Sequence, residues 1–259
     1  MKIDFLIPSY LSPGDNRHFQ IIKECLIGIQ QTAVSYEARI ILVDNGSDRR
    51  DLRVLPAYFP IEYLRIDPHE SASKARNAAW IYAETHPFGA EYFVWIDDDV
   101  IPKVKDFALL LVELLDKEHV ISVPMTNYSG CELQQIPEDD FRRTLLLAHE
   151  IHTTSMAPSL CYAMSYESIR KFIKFESYTK EPEPGLFDPN YLEFSHEDAD
   201  YCYRVTQWWK KKIIICPSSF VYHYGGATFN GLPWDKRVIA SNCIQENMKY
   251  YSLKTSGAR

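Results

Sequence analysis

The stretch Phe93-Val94-Trp95-Ile96-Asp97-Asp98-Asp99-Val100 constrains this chain more than any other. Its apolar half has the length and the aromatic and β-branched content of a buried strand. Three adjacent carboxylates cannot lie inside the ladder of such a strand, because burying an uncompensated charge is costly. The triplet must stand at the strand's carboxyl end, in the crevice where open α/β sheets bind ligands. Neighbouring carboxylates repel each other unless a cation compensates them, and hard divalent ions prefer oxygen donors. The pattern points to a metal–diphosphate site, with a solvated acidic turn as the plain alternative.

The chain around it alternates strands and helices. Lys2 to Ile7 is a first strand, stopped by Pro8-Ser9-Tyr10. Arg17 to Val34 is a helix with Phe19, Ile22, Leu26 and Ile29 along one face. Arg39 to Val43 is an uninterrupted apolar strand, typical of a parallel sheet, and ends in the turn-forming Asp44-Asn45-Gly46-Ser47-Asp48. Ile61 to Ile66 is a third strand, Ser71 to Glu84 a helix, and a further helix runs from about Val104 to Leu115. This order predicts βαβ units and a mainly parallel central sheet flanked by helices.

The second half is less regular. Strands are predicted over His119 to Pro124, Leu160 to Ser165 and Lys212 to Cys216. Helices are predicted over Phe141 to Ile151, Tyr166 to Phe175, Ser195 to Lys210 and, closing the chain, Asp235 to Tyr251. Met125 to Asp140, Ser177 to Pro189 and Tyr222 to Gly226 read as loops. No linker divides the 259 residues, so one domain is expected, with residues 1–123 as a nucleotide-binding half and 124–259 as an acceptor half.

A net charge of −7 argues against a broad nucleic-acid surface. No apolar run approaches the ~18 residues of a membrane span. The start of the chain has no signal-peptide layout, and the six cysteines lack paired ligand spacing; the expectation is a cytoplasmic protein with reduced thiols.

Several polar clusters accompany the triplet. Ser71 to Asn77 opens a helix whose positive end, with Lys74 or Arg76, suits a nucleotide's charge. Ser195-His196-Glu197-Asp198-Ala199-Asp200 is close to a capping box, yet also suits a general base presented at a helix tip. His223 precedes Gly225-Gly226. His149-Glu150-Ile151-His152 lacks the i, i+4 histidine pair of a zinc protease and reads as ordinary helix. Trp208-Trp209-Lys210-Lys211-Lys212 reads as an amphipathic helix end with snorkelling lysines, a membrane or nucleic-acid contact being the alternative.

In order, Ile7-Pro8-Ser9-Tyr10, Val43-Asp44-Asn45-Gly46-Ser47, Ala75-Arg76-Asn77, Asp97-Asp98-Asp99, Glu197-Asp198-Ala199-Asp200 with Arg204, and Tyr222-His223-Tyr224-Gly225-Gly226 resemble the inverting, family-two-like glycosyltransferases of the GT-A fold. Each motif is weak alone; six in order are specific. The resemblance implies a nucleotide-sugar donor and a divalent metal; an Asp at a strand's carboxyl end can accept the imide N–H of a uracil-type base, which puts UDP first, and carboxylates with one imidazole suit Mn²⁺ or Mg²⁺. The resemblance implies that Pro8, Tyr10 and Asp44 hold the base and that Arg76 with Asp97 or Asp98 holds the nucleotide. It also implies Asp99 as a metal ligand, His223 as a metal or diphosphate ligand, and Asp198 as the catalytic base. The family usually has glycine where Ser71 stands, and Met125 to Ser165 carries no recognisable motif. The acceptor is therefore open: a glycan first, with a lipid-linked sugar, a protein or a modified nucleic-acid base as alternatives.

The chemistry fits those residue types. A departing nucleoside diphosphate gains charge that a divalent cation stabilises. An attacking hydroxyl must lose its proton, and a carboxylate can take it. One such carboxylate favours inversion; the paired carboxylates of glycoside hydrolysis are not evident. Two other classes share parts of the pattern. A nucleotidyltransferase acting on sugar phosphates would carry a Gly-rich basic loop after its first strand, and Leu11 to Arg17 is poor in both. A non-catalytic nucleotide-sugar-binding module would need no base at Asp198.

Overall fold

The structure is a computed structural model that describes residues 1–47, 50–127, 152–176, 187–193, 195–225, 232 and 234–256. A sheet of order β3-β2-β1-β4-β8-β6-β9-β5 runs through it, with β7 paired to β9. The strands are β1 (Lys2–Ser9), β2 (Glu37–Asn45), β3 (Ile61–Ile66), β4 (Tyr92–Ile96), β5 (Val100–Pro102), β6 (His119–Thr126), β7 (His152–Thr154), β8 (Cys161–Ser165) and β9 (Lys212–His223). The described helices are α1 (Asn16–Thr32), α2 (Ala72–Thr85), α3 (Phe107–Val112), α4 (Tyr166–Glu176), α5 (Glu197–Tyr203) and α6 (Trp234–Thr255).

β3, β2, β1 and β4 are parallel. Their side chains alternate between two cores, as expected for strands covered on both faces. Phe5, Ile7, Leu42 and Val94 pack with Ile22, Leu26, Phe107 and Leu111 of α1 and α3. Leu6, Val43, Phe93 and Trp95 pack on the other face with Ala79 of α2, Phe172 of α4 and Tyr201 of α5. Trp95 meets Phe187 edge-on at 5.0 Å, a geometry that aromatic pairs prefer. Because Ser9 lies opposite Asp44 and Leu6 opposite Trp95 in the ladders, the carboxyl ends of β1, β2 and β4 open on one edge.

The remaining strands join the same sheet through antiparallel pairings and one parallel pair, β6 with β9. β8 pairs with β4 and β6, while β5 pairs with β9 and sets Val100 opposite His223. β5 has only three residues and follows the acidic triplet at once; the predicted strand into the triplet and the helix after it leave this element out. β9 extends to His223, seven residues beyond its predicted end at Cys216, so Tyr222 and His223 are strand rather than loop. His152 opens β7 instead of continuing a helix. A 3₁₀ segment, Arg50–Ala57, separates β2 from β3.

The predicted Ser195–Lys210 helix is an α-helical turn-pair, α5, followed by the π segment Arg204–Trp208. Trp209 stacks on Phe172 at 5.0 Å and Lys211 pairs with Glu118 at 3.4 Å, so the Trp-Trp-Lys run closes the core. Most of the predicted Met125–Asp140 loop, the Phe141–Ile151 helix with His149 and Glu150, most of the Ser177–Pro189 loop, Cys131 and Gly226 lie outside the described residues. The other five cysteines are free thiols. Among the described residues no helix is long and apolar enough to cross a membrane.

Candidate active site

A crevice of about 530 Å³ opens at the carboxyl edge of β1, β2 and β4. Pro8, Tyr10, Arg76, Asp97, Asp98, Asp99, Asp198 and His223 all line it. The topology explains the gathering. β1 delivers Ser9 and Tyr10, β4 delivers the triplet, and the β5–β9 pairing returns His223 to the triplet. Loop 157–160 and α5 form the opposite side.

Each aspartate of the triplet already has a basic partner from a different element. Asp97 accepts from Arg76 Nη2 of α2 at 2.8 Å. Asp98 accepts from Ser9 Oγ at 2.5 Å and lies 3.1 Å from His18 Nε2 of α1. Asp99 Oδ1 lies 3.3 Å from His223 Nε2 of β9. Burial pushes Asp97 above the usual carboxylate range, and Arg76 pulls the other way. Burial alone would lower His18, but the charge and hydrogen bond of Asp98 overcome it and hold the imidazole at about 9. Asp98 therefore faces the crevice with both oxygens engaged, which differs from a carboxylate open to a nucleotide. Its neighbours were not anticipated, although His18 sits on the buried stripe of α1 with Ile22, Cys25 and Ile29, an odd place for a polar residue.

Asp44 departs further from its expected place. It is wholly buried and does not line the crevice. Its carboxylate accepts from Ser47 N–H at 2.9 Å, from Arg65 Nη1 at 2.7 Å and from the Tyr63 hydroxyl. A base cannot reach it while those bonds stand, because the carboxylate is wholly enclosed by the groups that donate to it. Asn45 and Gly46 line the crevice instead. Gly46 has φ +68°, and a Cβ there would stand 2.5 Å from His69 N, so the turn needs glycine at this position. The Tyr10 ring lies 4.5 Å from that of His69, whose Nδ1 is 2.7 Å from Asn45 O and whose Nε2 is 3.0 Å from Glu193.

At the start of α2, Ser71 takes the N-cap and accepts from Lys74 N–H. Lys74 pairs at the surface with Glu70 at 2.8 Å and does not line the crevice; Arg76 does. Arg76 is buried and bridges the two sides of the site. Nη1 donates to Glu197 at 2.8 Å while Nη2 holds Asp97, and Phe187 lies 5.2 Å under its guanidinium. Burial would lower Arg76, but Asp97 and Glu197 hold it above its ordinary value.

The acidic helix separates its three carboxylates. Glu197 is buried against Arg76, and burial, reinforced by Asp198, pushes it up to about 7 against the pull of Arg76. Asp200 is wholly buried and pairs with Arg204 at 2.7 Å and Lys254 at 3.0 Å. Asp198 is only partly covered and lines the crevice, accepting from Ser159 N–H at 3.3 Å and Ala199 N–H at 2.8 Å. The capping box is not formed. Ser195 and His196 take left-handed φ of 92° and 66°, so the Ser195 hydroxyl turns to His196 Nδ1 at 2.5 Å and His196 caps α5 without a side-chain bond. Such backbone in a non-glycine pair persists only where its surroundings impose it, and it clusters at functional sites.

Two positioning contacts carry no sequence signal. The Asn127 amide donates to His223 O at 3.1 Å and accepts from His223 N–H at 2.7 Å, fixing the residue from the end of β6. The Ser159 amide steadies Asp198 through main chain alone. A divalent ion also fits the donor set. Two ligands bound in cis to one ion at about 2.1–2.2 Å stand about 3 Å apart, close to the Asp99–His223 separation. Among the described residues no group of three such ligands is found.

Residues 5–178 match the family profile described as Glycosyl transferase family 2. No curated protein is matched by the sequence. The fold is similar to that of GalNAc-T7, solved with UDP, GalNAc and Mn²⁺, at a TM-score of 0.63 and 16% identity, over 86% of this chain and 44% of that one. It is also similar to S. aureus TarS 1-349, at a TM-score of 0.54 and 12% identity, over 98% of this chain and 73% of that one. The chain thus spans less than half of the GalNAc-T7 chain it matches.

Proposed function

The chain belongs to glycosyl transferase family 2 and has the GT-A fold, and on that premise we propose that it is a metal-dependent inverting glycosyltransferase that uses a UDP-linked sugar. The observation that supports this reading most is one crevice holding Asp99 beside His223 on one side and Asp198, hung from the Ser159 amide, on the other. Residues 1–123 form the donor half and 124–259 the acceptor half of a single domain.

In this reading Pro8, Tyr10 and the main chain of Asn45 and Gly46 enclose the base, and Asp44 shapes their turn through Ser47. Asp97, held by Arg76, meets the nucleotide. Asp98, anchored by Ser9 and His18, fixes the loop between its two working neighbours. Asp99 and His223 would hold Mn²⁺ or Mg²⁺, and such an ion would supply positive charge to the departing diphosphate. The acceptor hydroxyl attacks the sugar C1 from the side opposite the diphosphate. Its oxygen forms the new bond, the C1–O bond to the diphosphate breaks, and Asp198 takes the hydroxyl proton. The acceptor is a hydroxyl compound, with a glycan as the first class to test.

The test is a panel of UDP-, GDP-, dTDP- and CDP-sugars assayed for donor hydrolysis with and without Mn²⁺. UDP-sugar hydrolysis that needs the metal and is lost in Asp99→Ala is the expected result. No hydrolysis of any donor, or full activity of Asp99→Ala in chelator, would overturn the reading.

A further inference from the structure

We propose that Lys236 of α6 is a donor-binding residue whose ammonium contacts the nucleoside diphosphate beside Tyr10; the inference rests on the donor reading above.

Helix α6 lies wholly outside the residues that match the family profile. It nevertheless builds one wall of the crevice, together with Leu232 just before it, through Lys236, Ile239 and Ala240. Lys236 Nζ donates to the Tyr10 hydroxyl at 3.2 Å and stands 5.9 Å from the centre of that ring. The lysine thus comes from the far end of the chain to the mouth of β1, where the base and its phosphates would sit.

Charge gives this placement its meaning. The crevice is lined by Asp97, Asp98, Asp99, Glu193, Glu197 and Asp198. A nucleoside diphosphate adds about two to three further negative charges, and like charges at short range repel. Arg76 already spends one N–H of each terminal nitrogen on Asp97 and Glu197, so its charge is shared with two carboxylates before any phosphate arrives. Lys236 is the only lysine among the described residues that line the crevice. An ammonium acts as a compact point charge that suits phosphate oxygens without a fixed fork geometry.

The lysine is also held in place, although it is exposed. Farther along α6, the buried Asn247 clamps the main chain of Leu192 and Ser195, and Lys254 pairs with Asp188 at 2.7 Å and Asp200 at 3.0 Å. The helix is fastened to the segment that carries Glu193, Glu197 and Asp198, so the reach of Lys236 is set by the same elements that set the base.

Calorimetric titration of the full chain with UDP, GDP, dTDP and CDP, each with Mn²⁺, tests the assignment. Lys236→Met should bind its preferred diphosphate about tenfold more weakly than the unaltered protein. Lys236→Arg should restore most of the affinity, and Tm should move by no more than about 2 °C because the position is exposed. Equal affinity of Lys236→Met and the unaltered protein would overturn the inference alone. Absence of binding by the unaltered protein to all four would overturn the donor reading and the inference with it. A weakened affinity that arginine does not restore, with a Tm fall of several degrees, would make Lys236 a strut for α6 and overturn its contact with the ligand.

Discussion

Asp198 and Glu197 are adjacent, yet their surroundings divide the work between them. Asp198 is held by two main-chain amides and open to the crevice, so it can accept a proton. Glu197 is enclosed and tied to Arg76. Asp198→Asn keeps the shape, removes the proton acceptor, and should lower turnover by about 10²-fold or more with donor affinity nearly unchanged. Turnover and calorimetric affinity on that one variant check it. Glu197 gives a pH signature. Its carboxyl is held at about 7 against an ordinary 4.5, so the folded state binds more protons than the unfolded one between those values. Stability from this group is full below that window and is lost as pH rises through it. Glu197→Gln, which can still accept from Arg76, should flatten the fall of Tm between pH 5 and 7. Thermal melts of both proteins across that range decide it. At this scale Asp97 to Asp99 show in the sequence because they end an apolar run, whereas Arg76, Asp198 and His223 are singled out by the family resemblance. Asn127, Ser159 and Lys236 are invisible there, since their partners lie about 40 to 230 residues away and nothing local marks them.

Elements were legible in proportion to their periodicity and length. α1, α2, β1, β2 and β3 follow from apolar spacing within a residue or two of their observed ends. β5 was not, because three residues carry no period, and yet it is the element that brings His223 to the triplet. The shortened acidic helix escaped for another reason. Left-handed Ser195 and His196 are imposed by tertiary contacts, and no glycine announces the turn. α6 shows how such contacts work. Of its 22 residues only Ala240 and Asn247 are fully enclosed, so the helix rests on polar fastenings and a few ring contacts such as Tyr191 with Tyr250 rather than on a continuous apolar face. Asn247 accepts from Leu192 N–H at 2.8 Å and donates to Leu192 O at 2.7 Å and Ser195 O at 3.1 Å. Asn247→Ala strands those main-chain groups and should cost about 2–3 kcal/mol. Chemical denaturation, with the midpoint falling at constant slope, is the measurement.

For the molecule as a whole, the continuous sheet carries a kinetic consequence. β8 lies between β4 and β6, and β9 ties β6 to β5, so the strands of the two halves interleave in one hydrogen-bonded surface. A clamp that opens between its halves would have to tear that surface. Products leave instead through the mouth of the crevice, whose wall includes Lys236, Ile239 and Ala240 of α6. Escape of the spent diphosphate then becomes a diffusive passage against solvent friction. With donor and acceptor saturating, turnover should fall in proportion to added viscogen such as sucrose, whereas a polymer that thickens only the bulk should leave it unchanged. Insensitivity to sucrose would place the slow step in bond making instead of exit.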